Sequence, residues 1–182
     1  MSLSKHSFIY AVAAVFAVIV YSLLIYLGGI RIDALQYFSY AIFTGIAIYA
    51  IKSWRDKENN GIISFGGVMK YGSLMALFYS LLIAVWTFFF MKYIAPELVG
   101  EMLLKQQAAM EAKGLQPKQI EMGIKMSKMI MQPPVMAVLA LIGNMFFITI
   151  INLIISAVMK KDPPVTFENP GTANLPNNPY VN

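Results

Sequence analysis

The sequence predicts an all-α integral membrane protein with four transmembrane helices and an extracytoplasmic amphipathic helical hairpin between the third and fourth. The first observation is composition: of 182 residues, 58% are apolar and 13% are charged, whereas soluble domains carry about 25% charged residues. The second is four uncharged stretches at 8–27, 35–51, 71–91 and 135–159, each close to the ~17–25 residues that cross a bilayer core as a helix. We therefore predict one four-span membrane domain over residues 1–160.

The distribution of basic residues predicts the orientation of these spans. With four spans, both termini and the 52–70 loop lie on one side of the membrane. Within seven residues of a span end, that side carries seven Lys or Arg residues and the other side carries three. Basic residues near span ends favour the cytoplasmic side. We therefore expect both termini to lie in the cytoplasm.

Two segments outside the spans have a less regular pattern. Residues 62–69 of the cytoplasmic loop are half apolar, with Ile62, Phe65 and Met69 at helical spacing, which predicts a partly ordered segment along the membrane surface. The tail, 161–182, is rich in Pro and Asn and has little to bury. We expect it to be disordered in the cytoplasm.

The external connection, 92–134, is predicted to form two helices. Pro96 opens and Gly114 closes the first helical pattern, and Pro117 stands where the second begins. In the second helix the charged residues fall within one narrow arc, and apolar residues occupy nearly all the rest. Such a wide apolar arc exceeds the stripe of about 100° that one buried flank requires. One flank should meet the first helix, and the other needs lipid headgroups, the bundle rim or another protein.

This second helix carries the predicted contact surface, which is rich in methionine. Methionine provides adaptable apolar surfaces for partners, but thioethers also bind Cu(I). Lys125 and Lys128 beside the sulfur atoms, and the lack of Cys or a nearby His, weigh against copper. The candidate contact residues are Met122, Met126, Met129, Ile130, Lys125 and Lys128.

Two spans carry distinctive faces. Span three has small residues at strict i,i+4 spacing, which predicts a helix-packing seam because small side chains let helices approach closely in lipid. Span four carries a polar face, which we interpret as interhelical hydrogen bonding, with a groove for a lipid headgroup or substrate as the alternative. The seam residues are Gly72, Ala76, Ser80 and Ala84, and the polar face is Asn144, Asn152 and Ser156.

Several chemistries are unlikely on composition. There is no cysteine, and the one histidine, His6, precedes the first span, where we expect a solvated side chain. The spans contain no Asp, Glu, Lys, Arg or His, which argues against a proton-coupled pump. No catalytic constellation is visible, so we predict a protein that is not an enzyme and has no cofactor or metal. The scattered basic residues argue against a nucleic-acid partner.

The ordering of parts resembles a known family. The segments Ile63-Ser64-Phe65-Gly66 and Lys70-Tyr71-Gly72 entering a span carry the resemblance, together with Glu111-Ala112-Lys113-Gly114 and Pro133-Pro134 before the last span. They are similar to a bacterial membrane-protein family defined only as a domain of unknown function (forty-one ninety-nine). The resemblance implies a small four-span inner-membrane protein and carries over no catalytic residue or cofactor. Gly67 stands where the family pattern implies an acidic residue.

Together these features favour a non-enzymatic assembly or accessory subunit. Its Met-rich external hairpin would contact a membrane-protein partner or a second copy of the chain, and its spans would contact the lipid bilayer. The alternative is a small transporter or lipid-handling protein that uses the polar face of span four.

Overall fold

The computed structural model describes residues 1–30, 35 and 37–161, and this part of the chain is helical. The only β pairing within it is one isolated antiparallel bridge between Ile63 and Lys161. All of the predicted disordered tail, 161–182, except Lys161 lies outside the described residues. The helices are α1 (Leu3–Leu27), α2 (Phe38–Glu58), α3 (Phe65–Phe89), α4 (Glu97–Ala112), α5 (Pro117–Ile130) and α6 (Pro133–Met159), and a π-helical turn, Phe90–Ile94, follows α3.

The start of α3 corrects the prediction of a separate surface segment at 62–69. Ser64 is the N-cap, and its hydroxyl accepts a hydrogen bond of 3.1 Å from the backbone N–H of Gly67. Such a cap satisfies one of the N–H groups that a helix start leaves without a partner. Phe65 and Met69 therefore belong to the first turns of the long helix, which begins six residues before the predicted span.

Three helical segments are long and apolar enough to cross a membrane: Leu3–Leu27, Phe65–Ile94 and Pro133–Met159. The predicted second span, 35–51, corresponds to α2, which does not reach the same length of apolar helix. The α-helix begins at Phe38, so only residues 38–51 precede Lys52. These fourteen residues rise about 21 Å at 1.5 Å per residue, which is shorter than a hydrocarbon core of about 30 Å.

The long helices form a bundle in which α3 is central. This helix packs along α6 on one side and along α1 on another, and α2 contacts α1, α3 and α6. Its inward residues Tyr71, Met75 and Tyr79 are almost fully buried, and the Tyr79 ring lies 4.6 Å from that of Phe43 on α2. Aromatic side chains thus fill the space between α2 and α3.

Contacts at one end of the bundle bring together the start of α1, the end of α2 and the end of α6. At the end that holds Met1, the amino group of Met1 lies 2.7 Å from a carboxylate oxygen of Glu58. At the same end, the backbone N–H of Ile63 donates to the carbonyl of Lys161 over 3.0 Å. We call this the Met1 end, and we call the opposite end, where α4 and α5 pack together, the hairpin end.

Candidate functional site

The small-residue seam on α3 and the polar face on α6 pack against each other. Gly72, Ala76 and Ser80 are buried, and Ala84 is half-buried. A β-carbon built on Gly72 would lie only 2.6 Å from the side-chain oxygen of Asn152. The seam therefore receives the amide of α6, a pairing that the sequence does not reveal.

The polar residues of α6 are not equivalent. Asn152 and Ser156 are almost completely buried, whereas Asn144 is half-buried and donates a 2.7 Å hydrogen bond to the carbonyl of Ala140 in its own helix. Within the described residues, the side-chain oxygen and nitrogen atoms of Asn152, and the hydroxyls of Ser80 and Ser156, have no hydrogen-bond partner. These groups act as close-packing surfaces here, without the interhelical hydrogen bonds that the sequence suggests.

His6 lies inside the bundle, and the prediction of a solvated side chain is wrong. Its exposed fraction is 5%, and its Nδ1 atom lies 2.6 Å from the hydroxyl of Tyr71. The rings of Tyr10 and Trp54 lie 4.7 and 5.3 Å from the imidazole. Helix α1 begins at Leu3, five residues before the predicted span, and this earlier start carries His6 into the core.

Helix α5 has three distinct faces. At 100° per residue, Ile120, Gly123, Ile124 and Ser127 share one face, and a β-carbon on Gly123 would lie 2.6 Å from the methyl carbon of Met110 on α4. This face packs against α4, as the sequence predicts for one flank. The charged face and the face with methionines lie on the remaining two sides.

The predicted contact residues divide between those two remaining faces. Met122, Met126 and Met129 are 60–61% exposed and Ile130 is 49% exposed. We call these four residues the Met face. Lys125 and Lys128 instead line a cleft of about 760 Å³ between α4 and α5, together with Glu111 and Glu121. The structure thus separates the apolar candidates from the basic ones.

The described side chains do not form a conventional metal site. In residues 1–30, 35 and 37–161, no group of three or more His, Cys, Asp or Glu side chains converges where a metal ion could bind. The methionine sulfurs are a separate class of ligand. On the Met face they follow one another along a single helix at i,i+4 and i,i+7 spacing.

A cavity of about 430 Å³ lies at the hairpin end, between α1, the start of α2, α3 and α4. Its walls are mainly apolar. They include Val18 and Ile25 from α1, Ile83 from α3, Phe90 from the π-helical turn and Leu98 from α4. Glu101 and Lys105 of α4 also line it. The cavity therefore combines apolar walls with two charged side chains from a single helix.

Hydrogen bonds donated by the hydroxyls of Tyr21 and Tyr26 fix the walls of this cavity. The Tyr21 hydroxyl donates to the carbonyl of Leu35 over 2.8 Å. The Tyr26 hydroxyl lies within hydrogen-bond distance of the Ile94 carbonyl, at 3.1 Å, and of the Glu97 carboxylate. Tyr26 therefore ties the end of α1 to the start of α4, which covers the cavity.

Sequence patterns alone indicate little of this cavity. Its lining comes from four separate helical segments, so no local spacing connects the residues. The one available signal is the opposite charge of Glu101 and Lys105 at i,i+4, which by itself is typical of an exposed helix face.

Comparison with known proteins gives a family and no individual relative. No curated protein and no solved structure matches the chain. Residues 8–161 match the family described as "Protein of unknown function (DUF4199)". The matched range covers all six helices except the first turns of α1, and the chain therefore belongs to the DUF4199 family.

Proposed function

We propose that this protein is a non-enzymatic assembly or accessory subunit of a bacterial inner membrane, and that the Met face of α5 binds another membrane protein. The observation that supports this proposal is the exposure of Met122, Met126 and Met129, each about 60%, on a helix that already packs against α4 through a different face. Exposed apolar patches of this kind mark sites of interaction with proteins or membranes.

The chemistry of the Met face favours a protein surface. Methionine has an unbranched, polarizable side chain that adapts to irregular partners. Lys125 and Lys128 lie on the neighbouring charged face, so an apolar contact would be flanked by basic groups. Charged groups at the rim of an interface favour correct orientation of the partner.

The proposal includes four spans with both termini in the cytoplasm. The contacts between Met1 and Glu58, and between Ile63 and Lys161, support an even number of crossings. If α1, α3 and α6 span the bilayer, α2 must return the chain from the hairpin end to the Met1 end. The basic residues near the span ends at the Met1 end then favour a cytoplasmic location for that end.

The alternative role, a transporter or lipid-handling protein that uses the polar face of span four, has less support. Asn152 and Ser156 are buried against α3. They line neither the cavity at the hairpin end nor the cleft between α4 and α5.

A photo-crosslinking amino acid at Met126 tests the proposed contact in cells. We expect a specific protein adduct from this position and none from Leu104, which is a matched control because it is 69% exposed on the neighbouring helix α4. Adducts with lipid alone would contradict the proposal, since the Met face would then lie in the bilayer. An adduct with a second copy would make the partner the chain itself.

Substitution separates packing from metal binding on the same face. Replacing Met122, Met126 and Met129 with leucine keeps the face apolar and should preserve the complex in mild detergent. Replacing Met126 and Met129 with glutamine should disrupt it, because amide groups would have to leave water without partners. Survival of the complex with the glutamines would contradict the proposal. Joint loss of Cu(I) binding and of the complex in the leucine variant would instead favour a copper site.

A further inference from the structure

The cavity at the hairpin end has the size and lining of a small-molecule site. Its volume of about 430 Å³ falls within the ~300–1,000 Å³ typical of ligand pockets. Two of its hydroxyl donors are already engaged, because Tyr21 donates to Leu35 and Ser22 donates to the Ile19 carbonyl over 2.9 Å. The interior therefore offers a ligand mainly apolar contact.

Both charged side chains that line this cavity are on α4. Glu101 and Lys105 lie one helical turn apart and both line the cavity. Glu101 is half-buried and Lys105 is exposed, so the pair lies at the rim. A site with apolar walls and adjacent groups of opposite charge at its rim matches an amphiphile with an apolar tail and a zwitterionic head.

We infer that this cavity binds an acyl chain of a zwitterionic glycerophospholipid with a primary ammonium group, taken from the surrounding bilayer. The acyl chain of the lipid lies between α1 and α3, and its headgroup lies at α4. There the phosphate faces the Lys105 ammonium, and the lipid ammonium faces the Glu101 carboxylate. Charge-assisted hydrogen bonds of this kind are stronger than those between neutral groups.

The position of the cavity in the bundle favours a bilayer lipid as the occupant. It lies at one end of the apolar helices Leu3–Leu27 and Phe65–Ile94, where acyl chains and headgroups are both within reach. Trp86 and Tyr26 line it, and such aromatic residues are enriched at the level of the headgroups. Filling apolar walls with an acyl chain also removes them from water.

Native mass spectrometry of the purified full chain tests this site. After delipidation, dioleoyl-phosphatidylethanolamine, dioleoyl-phosphatidylglycerol or oleate is added back at equal concentration. We expect one phosphatidylethanolamine to be retained per chain, at least fivefold more often than phosphatidylglycerol or oleate. Equal retention of oleate would overturn the phospholipid assignment, and equal retention of phosphatidylglycerol would overturn the role of the headgroup.

Matched substitutions locate the bound lipid. Ser22→Phe and Thr87→Phe place a ring in the cavity and should lower retention at least fivefold. Leu24→Phe and Val85→Phe add the same ring on the same two helices at positions that are 64% and 55% exposed and outside the cavity. These controls should retain lipid normally. Equal retention by all four variants would overturn the site.

Fluorescence provides a second measurement, in which the reference variant leaves the cavity lining unchanged. The chain has two tryptophans, so Trp54→Phe leaves Trp86, which lines the cavity, as the only indole. Brominated phosphatidylethanolamine in detergent micelles should quench Trp86 at substoichiometric lipid, and Glu101→Gln with Lys105→Gln should weaken this quenching severalfold. No quenching would contradict the inference. The Met face is not part of this site, so loss of partner binding and loss of lipid binding are distinguishable results.

Discussion

Asn152 on α6 occupies the space that a side chain on Gly72 of α3 would need. An ideal β-carbon at Gly72 would lie 2.6 Å from Oδ1, 2.7 Å from Cγ and 2.9 Å from Nδ2 of Asn152. The contact belongs to the most extensive helix pair in the described bundle. In lipid, where apolar tails surround the helices, such close approach is a main source of helix association.

The first prediction is that Gly72→Ala destabilises the bundle. The added methyl group cannot fit without moving the Asn152 amide or separating the helices, and overpacking of this kind costs about 1–3 kcal/mol. Gly45→Ala is the matched control, because Gly45 also lies inside a helix, α2. Apart from the nearby backbone of α2 and the two chain neighbours, no described heavy atom lies within 4 Å of a β-carbon at this position. The control should be neutral or stabilising by up to about 1 kcal/mol, since alanine favours helix more than glycine does. Thermal unfolding in detergent, followed by circular dichroism, compares the two.

A second substitution at Asn152 tests the cause of that effect. Asn152→Ala should recover much of the stability lost in Gly72→Ala, because it removes the atoms that the methyl group meets. A double-mutant cycle measures this coupling. Additive effects of the two changes would show that the two residues do not share this contact.

The second prediction concerns the buried serine hydroxyls. The Oγ atoms of Ser80 and Ser156 have no hydrogen-bond partner among the described residues, whereas Ser127 is also buried but donates to the Gly123 carbonyl over 2.9 Å. Serine to alanine replaces the hydroxyl with a hydrogen atom. Where the hydroxyl has no partner this change loses no hydrogen bond, whereas a typical hydrogen bond contributes about 0.5–1.5 kcal/mol. Ser80→Ala and Ser156→Ala should therefore be more favourable than Ser127→Ala by about 1 kcal/mol in the same unfolding assay. A marked loss of stability in Ser80→Ala would reveal a bound water or ligand at that hydroxyl.

The third prediction is that the contact between His6 and Tyr71 stabilises the folded protein. Tyr71 is fully buried and its hydroxyl lies 2.6 Å from Nδ1 of His6, so Tyr71→Phe leaves a buried imidazole nitrogen without this partner. Leaving a buried polar group unsatisfied costs about 1–3 kcal/mol. Tyr49→Phe, at a position that is 62% exposed, should have little effect in the same unfolding assay.

The double variant of this pair distinguishes a hydrogen bond from simple packing. With His6→Phe and Tyr71→Phe together, both polar partners are absent, so the double variant should be more stable than the sum of the single changes predicts. Additive losses would show that the rings contribute only by filling space.

Sequence periodicity locates the faces of single helices but not the pairs that they form. The small face with Gly72 and the polar face with Asn152 are both recognisable from spacing along one helix. Their contact depends on the axial position of α3 relative to α6, and about forty residues of loop and hairpin separate these helices along the chain. No local pattern specifies that axial position. The sequence therefore predicts interhelical hydrogen bonds for the polar face, and the described residues do not contain them.

The burial of His6 and the cavity at the hairpin end escape the sequence analysis for two different reasons. The uncharged run of the first span follows Lys5, but α1 extends past that lysine to Leu3 because the Ser2 hydroxyl accepts a hydrogen bond from the Lys5 backbone N–H. Capping by one hydroxyl thus extends the helix beyond the apolar run. The cavity forms because α4 lies over the end of α1, and the hydrogen bond between Tyr26 and Glu97 holds the two helices together. These residues are 71 positions apart, so no periodic pattern in the sequence indicates their contact.

The fourth prediction is that α2 crosses the membrane although its apolar part is short. The α2 C-terminus and the end of α6 meet at the Met1 end, so the 52–64 segment should lie on the cytoplasmic side with both termini. Because the chain has no cysteine, single cysteines at Asn59 and Gln116 report on the two ends. On intact spheroplasts, an impermeant maleimide should label Gln116→Cys and spare Asn59→Cys until the membrane is opened. The reverse labelling would contradict the proposed orientation, because Asn59 would then lie outside and Gln116 inside. Labelling of both sites would mean that the helical segment Phe65–Ile94, which lies between them, does not cross the membrane.

The short apolar part of α2 gives this crossing a second test at Lys52. A short crossing helix should thin the bilayer around it or draw Lys52 towards the headgroups. Lys52→Leu extends the uncharged part of α2 from 38–51 to 38–54 and reduces that demand. The labelling pattern of Asn59→Cys and Gln116→Cys should stay the same in this variant, because packing of α2 against α1 and α3 fixes the crossing. A change of pattern would show instead that the charge at Lys52, rather than packing within the bundle, holds α2 in place.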